Sequence, residues 1–196
     1  PVLHDDDPLQ AVFTALSMLK SLKSFNRKQT LTGKPPFKIG IGLNTGEVIV
    51  GNIGSTQKLD YTCIGDTVNL ASRLEGLTKL YRTPIIISEY TYNEAQSGIM
   101  AREIDSVRVK GKAKPVKIYQ PYIEASPKIK DGYNIFNEAM HLYRNKSFKE
   151  ALKLFHSSNE ILEKDTPSSL YIDRCEELIH DQPEEDWDGV YTAKTK

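Results

Sequence analysis

Residues 37–44 alternate without a break: Phe37, Ile39, Ile41 and Leu43 fall on one face, and Lys38, Gly40, Gly42 and Asn44 on the other. A period of two is that of a strand with one apolar face. The two glycines leave the second face bare, so another element can approach the backbone there. Asn44-Thr45-Gly46 predicts a turn that folds the chain back into a second strand over residues 47–53. Gly51, Gly54 and Ser55 then open a polar loop through Lys58. Helices in this chain must therefore be arranged around a sheet.

Before that segment, Asp7-Pro8 is a helix start, and Leu9, Val12, Phe13, Leu16 and Leu19 recur at helical spacing to about residue 25. Residues 26–36 read as a basic connector. After it, residues 61–64 form a short apolar piece, and Asp66 is placed to cap a helix over residues 67–80. Val68, Ala71, Leu74 and Leu77 make its inward stripe. Gly76 inside it asks for a close neighbour or a helix end. Ile85, Ile86 and Ile87 in a row predict a buried strand, with Ser88 capping a short helix to about residue 96. Residues 101–110 and 115–123 read as two further strands. Strands interleaved with helices make this part α+β with a mixed sheet and flanking helices.

At Ala125-Ser126-Pro127 the character changes. Residues 130–143, 148–162 and 167–179 are amphipathic helices joined by short turns. Ala139, Leu142, Phe148, Ala151 and Phe155 resemble the pattern of one tetratricopeptide repeat, which cannot bury its own face alone. The expected division is a first domain over residues 1–124 and a small helical appendix over residues 125–196. Trp187, among acidic residues, either docks or stays loose.

Lys plus Arg and Asp plus Glu number 26 each, so no net field draws nucleic acid or an acidic membrane. No apolar run approaches the ~20 residues of a membrane span. Cys63 and Cys175 fit neither a disulfide framework nor a metal spacing, and read as small buried groups in a reducing, cytoplasmic setting. The opening PVLHDDDP has no signal-peptide character. Without an initiator Met, it reads as a start inside a longer protein.

The helix over residues 67–80 carries Asn69 and Arg73 four residues apart, on one face near its N-terminal end. An amide and a guanidinium at that end suit an anionic ligand. Spacing alone is better served by a capped surface helix with a solvated arginine.

The ordered run GEVIVGNIGS, YTCIGDTVNLASR and VKGK resembles the second half of a class III adenylyl or guanylyl cyclase catalytic domain, over roughly residues 8–123. That resemblance implies a ferredoxin-like mixed sheet. It also implies a reaction: the ribose 3′-oxygen attacks the α-phosphorus of a purine nucleoside triphosphate, and pyrophosphate leaves. Arg73 would meet the charge developing on the α-phosphoryl oxygens, and Asn69 would orient the ribose. Thr62 occupies the purine-selecting position, where adenylyl cyclases carry Asp or Thr and guanylyl cyclases usually Cys. ATP is therefore favoured over GTP. Lys110 matches the lysine that reaches the terminal phosphates; without the resemblance it reads as a solvated turn lysine.

The resemblance further implies two Mg²⁺ or Mn²⁺ ions held by two aspartates in the first half of the domain, upstream of Pro1; Asp5–Asp7 reads as a helix start and no metal ligand is assigned here. It implies a homodimer whose site takes the metal from one subunit and the Asn and Arg from the other. The 196-residue chain alone should not cyclise ATP, and unpaired strands should drive self-association. A parent anchored in a membrane through an N-terminal region is a family expectation. The alternatives are a guanylyl cyclase, a non-catalytic nucleotide-binding or regulatory relative, and an interaction module led by the helical repeat.

Overall fold

The computed structural model describes residues 2, 4–55, 58–108, 114–122 and 124–192. They divide into two compact units: residues 1–80 with 84–99, and residues 81–83 with 100–196.

In the first unit, α1 (Asp7–Leu31) is longer than its apolar stripe, with Val12 and Ala15 buried and Phe25 and Leu31 exposed. Strand β1 is only Ile41–Leu43. The expected residues 37–40 drop out because Asn26 of α1 takes both polar groups of Phe37: its Nδ2 donates to the Phe37 carbonyl (2.7 Å) and its Oδ1 accepts from the Phe37 amide (2.8 Å). The Phe25 and Phe37 rings meet at 5.9 Å.

The expected hairpin between residues 37–43 and 47–53 is not formed. β1 instead pairs in parallel with β4 (Ile85–Ser88), Ile41 facing Ile85. The hairpin lies one step on: β2 (Ile49–Ser55), close to the strand expected over residues 47–53, pairs with β3 (Lys58–Ile64), which extends the apolar piece expected over residues 61–64. All seven residues of β3 are exposed. α2 (Asp66–Tyr81) follows, and α3 (Glu89–Ala95) is capped by Ser88 Oγ, which accepts from the Thr91 amide at 3.2 Å. The triple isoleucine of β4 is buried, as its continuous apolar run requires.

In the second unit, β5 (Met100–Arg108) and β6 (Val116–Tyr122) pair antiparallel, and a two-residue β7 (Tyr191–Thr192) pairs in parallel with β5. That last strand had no signal in the sequence. Helices α4 (Pro127–Arg144), α5 (Phe148–Ile161) and α6 (Thr166–His180) pack around Phe136, Phe155, Tyr143 and Tyr171. Trp187 docks edge-on against Tyr143 and Phe148, with ring centroids at 5.2 and 5.3 Å.

Two buried charge clusters tie these helices to β5. Arg102 makes a fork to Asp165 (2.9 Å twice), bonds Gln120 (2.6 Å), and lies over the rings of Tyr133 and Phe136. Asp105 accepts from Arg174 and from the Tyr171 hydroxyl, each at 2.7 Å. Among the described residues the chain is thus α+β, with mixed strand directions and six helices.

Candidate active site

The helix carrying Asn69 and Arg73 is seated by glycine. A Cβ built on Gly42 would lie 2.2 Å from the Ala71 carbonyl oxygen and 2.3 Å from the Glu75 nitrogen, and one on Gly40 would strike Thr78 Oγ1 at 2.2 Å. The bare face seen in the sequence is therefore where α2 rests on β1, backbone against backbone. Any side chain at Gly42 would push the helix away. The buried positions of α2 are Leu70, Leu74, Leu77 and Thr78, with Val68 and Ala71 only partly covered. The helix is thus rotated from the expected stripe, toward the glycine contact.

Its N-terminal turn is fixed twice. Gly65 takes a φ of +152°, a backbone state suited to glycine, and its carbonyl accepts from the amides of Val68 (3.1 Å) and Asn69 (3.2 Å). Asn44, just after β1, donates its Nδ2 to the Thr67 carbonyl at 3.1 Å. The helix begins at Asp66 itself, which stands in the first turn as a charge that the helix dipole favours. Sequence reasoning gave Asn44 only a turn role, because nothing in spacing separates a turn residue from a brace.

On this frame Asn69 is exposed and Arg73 half-buried, one helical turn apart. Thr62 is exposed on β3, directly opposite Gly51 of β2. Opposed residues share a face of the ladder, and a Cβ at Gly51 would meet nothing within 4 Å. The face beside the Thr62 hydroxyl is thus open. Thr62, Asn69 and Arg73 all belong to the first unit. Lys110 lies outside the described residues. Of the two cysteines expected to be buried, Cys175 is, and its thiol is pushed up to about 12 by burial; Cys63, next to Thr62, is exposed.

Among the described residues no three His, Cys, Asp or Glu side chains gather where a metal ion could be held. The described residues thus offer no ligand set for the divalent ions that the resemblance implies. No helix among them is long and apolar enough to cross a membrane.

Comparison with known proteins bears on this site. The terminal-differentiation-specific adenylate cyclase of Dictyostelium discoideum is 34% identical over 182 residues, covering 88% of this chain and 8% of its own length. The chain thus spans less than a tenth of that relative, yet the likeness runs past β6 into the helices. Two solved structures are each 36% identical. The adenylyl cyclase CyaB from P. aeruginosa covers 63% of this chain and 62% of its own (TM-score 0.55), and the guanylyl cyclase Cya2 65% and 64% (TM-score 0.57). The sequence profile described as "Adenylate and Guanylate cyclase catalytic domain" matches residues 4–122. That span takes in the glycine-seated helix and its hairpin, and more than half of the chain, which belongs to the family of adenylate and guanylate cyclase catalytic domains.

Proposed function

We propose that this chain supplies the phosphate- and ribose-directed part of a nucleotidyl cyclase site that converts ATP to cyclic AMP and pyrophosphate. The observation that carries the reading is the seating of α2, which presents Arg73 and Asn69 from a helix locked to β1 through Gly42 and to the preceding turn through Asn44. A guanidinium held in place before reaction lowers the barrier because it need not reorganise as charge builds on the α-phosphoryl oxygens. Asn69 holds the ribose hydroxyls, Thr62 offers a hydroxyl to the adenine edge, and Lys110 reaches the terminal phosphates.

The carboxylates for the divalent ions come from outside the described residues, and the site is completed between two copies. The exposed Ile49, Leu59 and Tyr61 of the hairpin support such an association. α4 and α5 serve as a repeat-like module that follows the cyclase domain in the chain. Adenylyl and guanylyl neighbours are equally identical to the chain, so Thr62 alone favours ATP; competition by GTP measures that preference.

The test has two arms. The 196-residue chain with Mn²⁺ and ATP should form no cyclic AMP; clear product would overturn its dependence on outside carboxylates. In a catalytic domain completed with those carboxylates, Arg73→Ala should lower kcat by about 100- to 1,000-fold. A variant within threefold of the parent would end the assignment of Arg73.

A further inference from the structure

Past α6 the chain comes back over its own helices. The Asp181 amide closes α6 on the Glu177 carbonyl at 2.8 Å. Pro183 cannot continue a helix and favours extended backbone at Gln182. From Glu184 on, the segment is held at nearly every step. The Lys146 ammonium, in the turn between α4 and α5, donates to the carbonyls of Glu184 (3.2 Å) and Glu185 (2.9 Å). The Trp187 ring sits against Tyr143 and Phe148. Asp188 accepts from Arg108 at 2.6 Å and from the Val190 amide at 3.0 Å. Gly189 takes a φ of +72°, and a Cβ there would already touch the Trp187 ring at 3.6 Å. The backbone then joins β5 as β7, Tyr191 facing Val107.

These contacts are the ones that recognise a peptide: an added strand, one aromatic anchor in a slot, and cations on its polar groups. The charges also match. Glu184, Glu185, Asp186 and Asp188 flank the tryptophan in sequence, and Lys146 and Arg108 stand at the two ends of the slot. The hold is also slight. Glu184, Glu185, Asp186 and Asp188 are exposed, Trp187 and Val190 are half-buried, and β7 is two residues long. A segment with so little buried surface opens locally, well before the helices beneath it unfold.

We propose that Tyr143, Phe148, Lys146, Arg108 and the β5 edge taken by β7 form a docking site for an acidic segment with one tryptophan anchor. It is filled here by residues 184–192 of the same chain and, once they leave, takes the same residues of a second copy. A second copy brings a segment whose fit is the one already seen, and the closed and exchanged forms make the same contacts. Concentration decides between them. Closure through the short link of residues 181–183 corresponds to an effective concentration on the order of 1 mM. Exchange therefore belongs to copies that are concentrated or held together. This docking is independent of the assignments of Arg73 and Lys110.

The probe is a labelled synthetic peptide of residues 181–192, followed by fluorescence anisotropy. In the full chain, Trp187→Ala vacates the slot and leaves its lining. That variant should bind the probe at least tenfold more tightly than the parent, whose own segment competes. A probe carrying Trp187→Ala should bind the variant at least tenfold more weakly than the unchanged probe. Equal binding by parent and variant overturns the site, as does a probe indifferent to the loss of its tryptophan. Should Trp187→Ala fail to fold, hydrogen exchange on the parent decides. Amides of residues 184–192 should exchange at least about 100-fold faster than those of α5; equal rates would mean that the segment leaves only on unfolding, and overturn the proposal. The second copy has its own test. A tagged Trp187→Ala chain should retain untagged Lys146→Glu chain, which keeps the tryptophan but has a weakened slot, at least tenfold more than it retains untagged Trp187→Ala chain. Equal retention overturns the second copy as occupant.

Discussion

The hairpin and α2 on one side, and β5 with α6 on the other, use arginine in opposite ways. Arg73 stands half-buried on a helix next to a strand exposed along its whole length. The Arg102 side chain is 1% exposed, and Arg174 is mostly buried; both are paired with buried or nearly buried carboxylates. A charge sealed from water is costly unless partners surround it; the Arg102 fork is filled by Asp165 and Gln120, and its Nε alone is buried without a hydrogen bond. A charge left near the surface costs little to keep there. The contrast is one of burial, and each half of it can be broken by substitution.

The largest expected effect lies in the buried half. Arg102→Met leaves Asp165 with only its cap donors from Ser168. It should cost about 3–5 kcal/mol in urea unfolding, read from Trp187 fluorescence. The double change Arg102→Met, Asp165→Leu should recover much of that, because the stranded charge goes with its partner. A loss below about 1 kcal/mol in the single variant would show that the pair behaves like a surface bridge. Arg73→Ala, at a half-buried rather than a sealed position, should cost less than Arg102→Met in the same measurement.

The same pair sets a pH dependence. Burial pushes the Asp165 carboxyl up, but Arg102 and the Ser168 donors more than reverse this and hold it below its ordinary value. A carboxyl lowered on folding adds stability above its unfolded value of ~3.9, and that stability is lost as the pH falls through the lower folded value. Asp165→Asn should therefore be less stable than the parent at neutral pH. The gap should close as the pH drops below ~4. A gap independent of pH would show that the carboxylate's charge is not what the fold uses.

The cysteines probe the contrast without altering it. Cys63 on the open hairpin should react with a thiol reagent at mildly alkaline pH, and Cys175, buried and pushed up to about 12, only after unfolding. Two fast thiols would mean that α6 opens freely.

Much of this was legible in the chain, for reasons that differ by residue. Gly40 and Gly42 announced a close approach because only a missing Cβ permits one, although the sequence could not say that α2 makes it. The three tail helices stood out because their apolar period is strong. The hairpin was misplaced because β1 is too short to fold back on its neighbour: Asn26, eleven residues upstream, takes the polar groups of Phe37, and β4 supplies the pairing from afar. Arg102, Asp105, Asp165 and Arg174 carried no signal, since a charged residue in a strand or helix reads as solvated until a bulge and a distant helix enclose it. The site was read from the order of its motifs, and burial adds only which face each residue occupies.

The smallest expected effect concerns Gly76. It lies in the interior of α2, exposed, and a Cβ there would meet nothing within 4 Å. Neither the close neighbour nor the helix end that its sequence position suggested is found among the described residues. Alanine there should add about 0.5–1 kcal/mol of stability, the ordinary gain of replacing glycine in a helix. It lies three residues beyond Arg73, so the same variant reports on the exposed half of the contrast. If Gly76→Ala stabilises the chain and leaves the completed catalytic domain at full turnover, the glycine is only a local weakness in the helix. If it stabilises the chain yet impairs self-association in light scattering, a partner's backbone approaches α2 at Gly76, as Gly40 and Gly42 let α2 approach them.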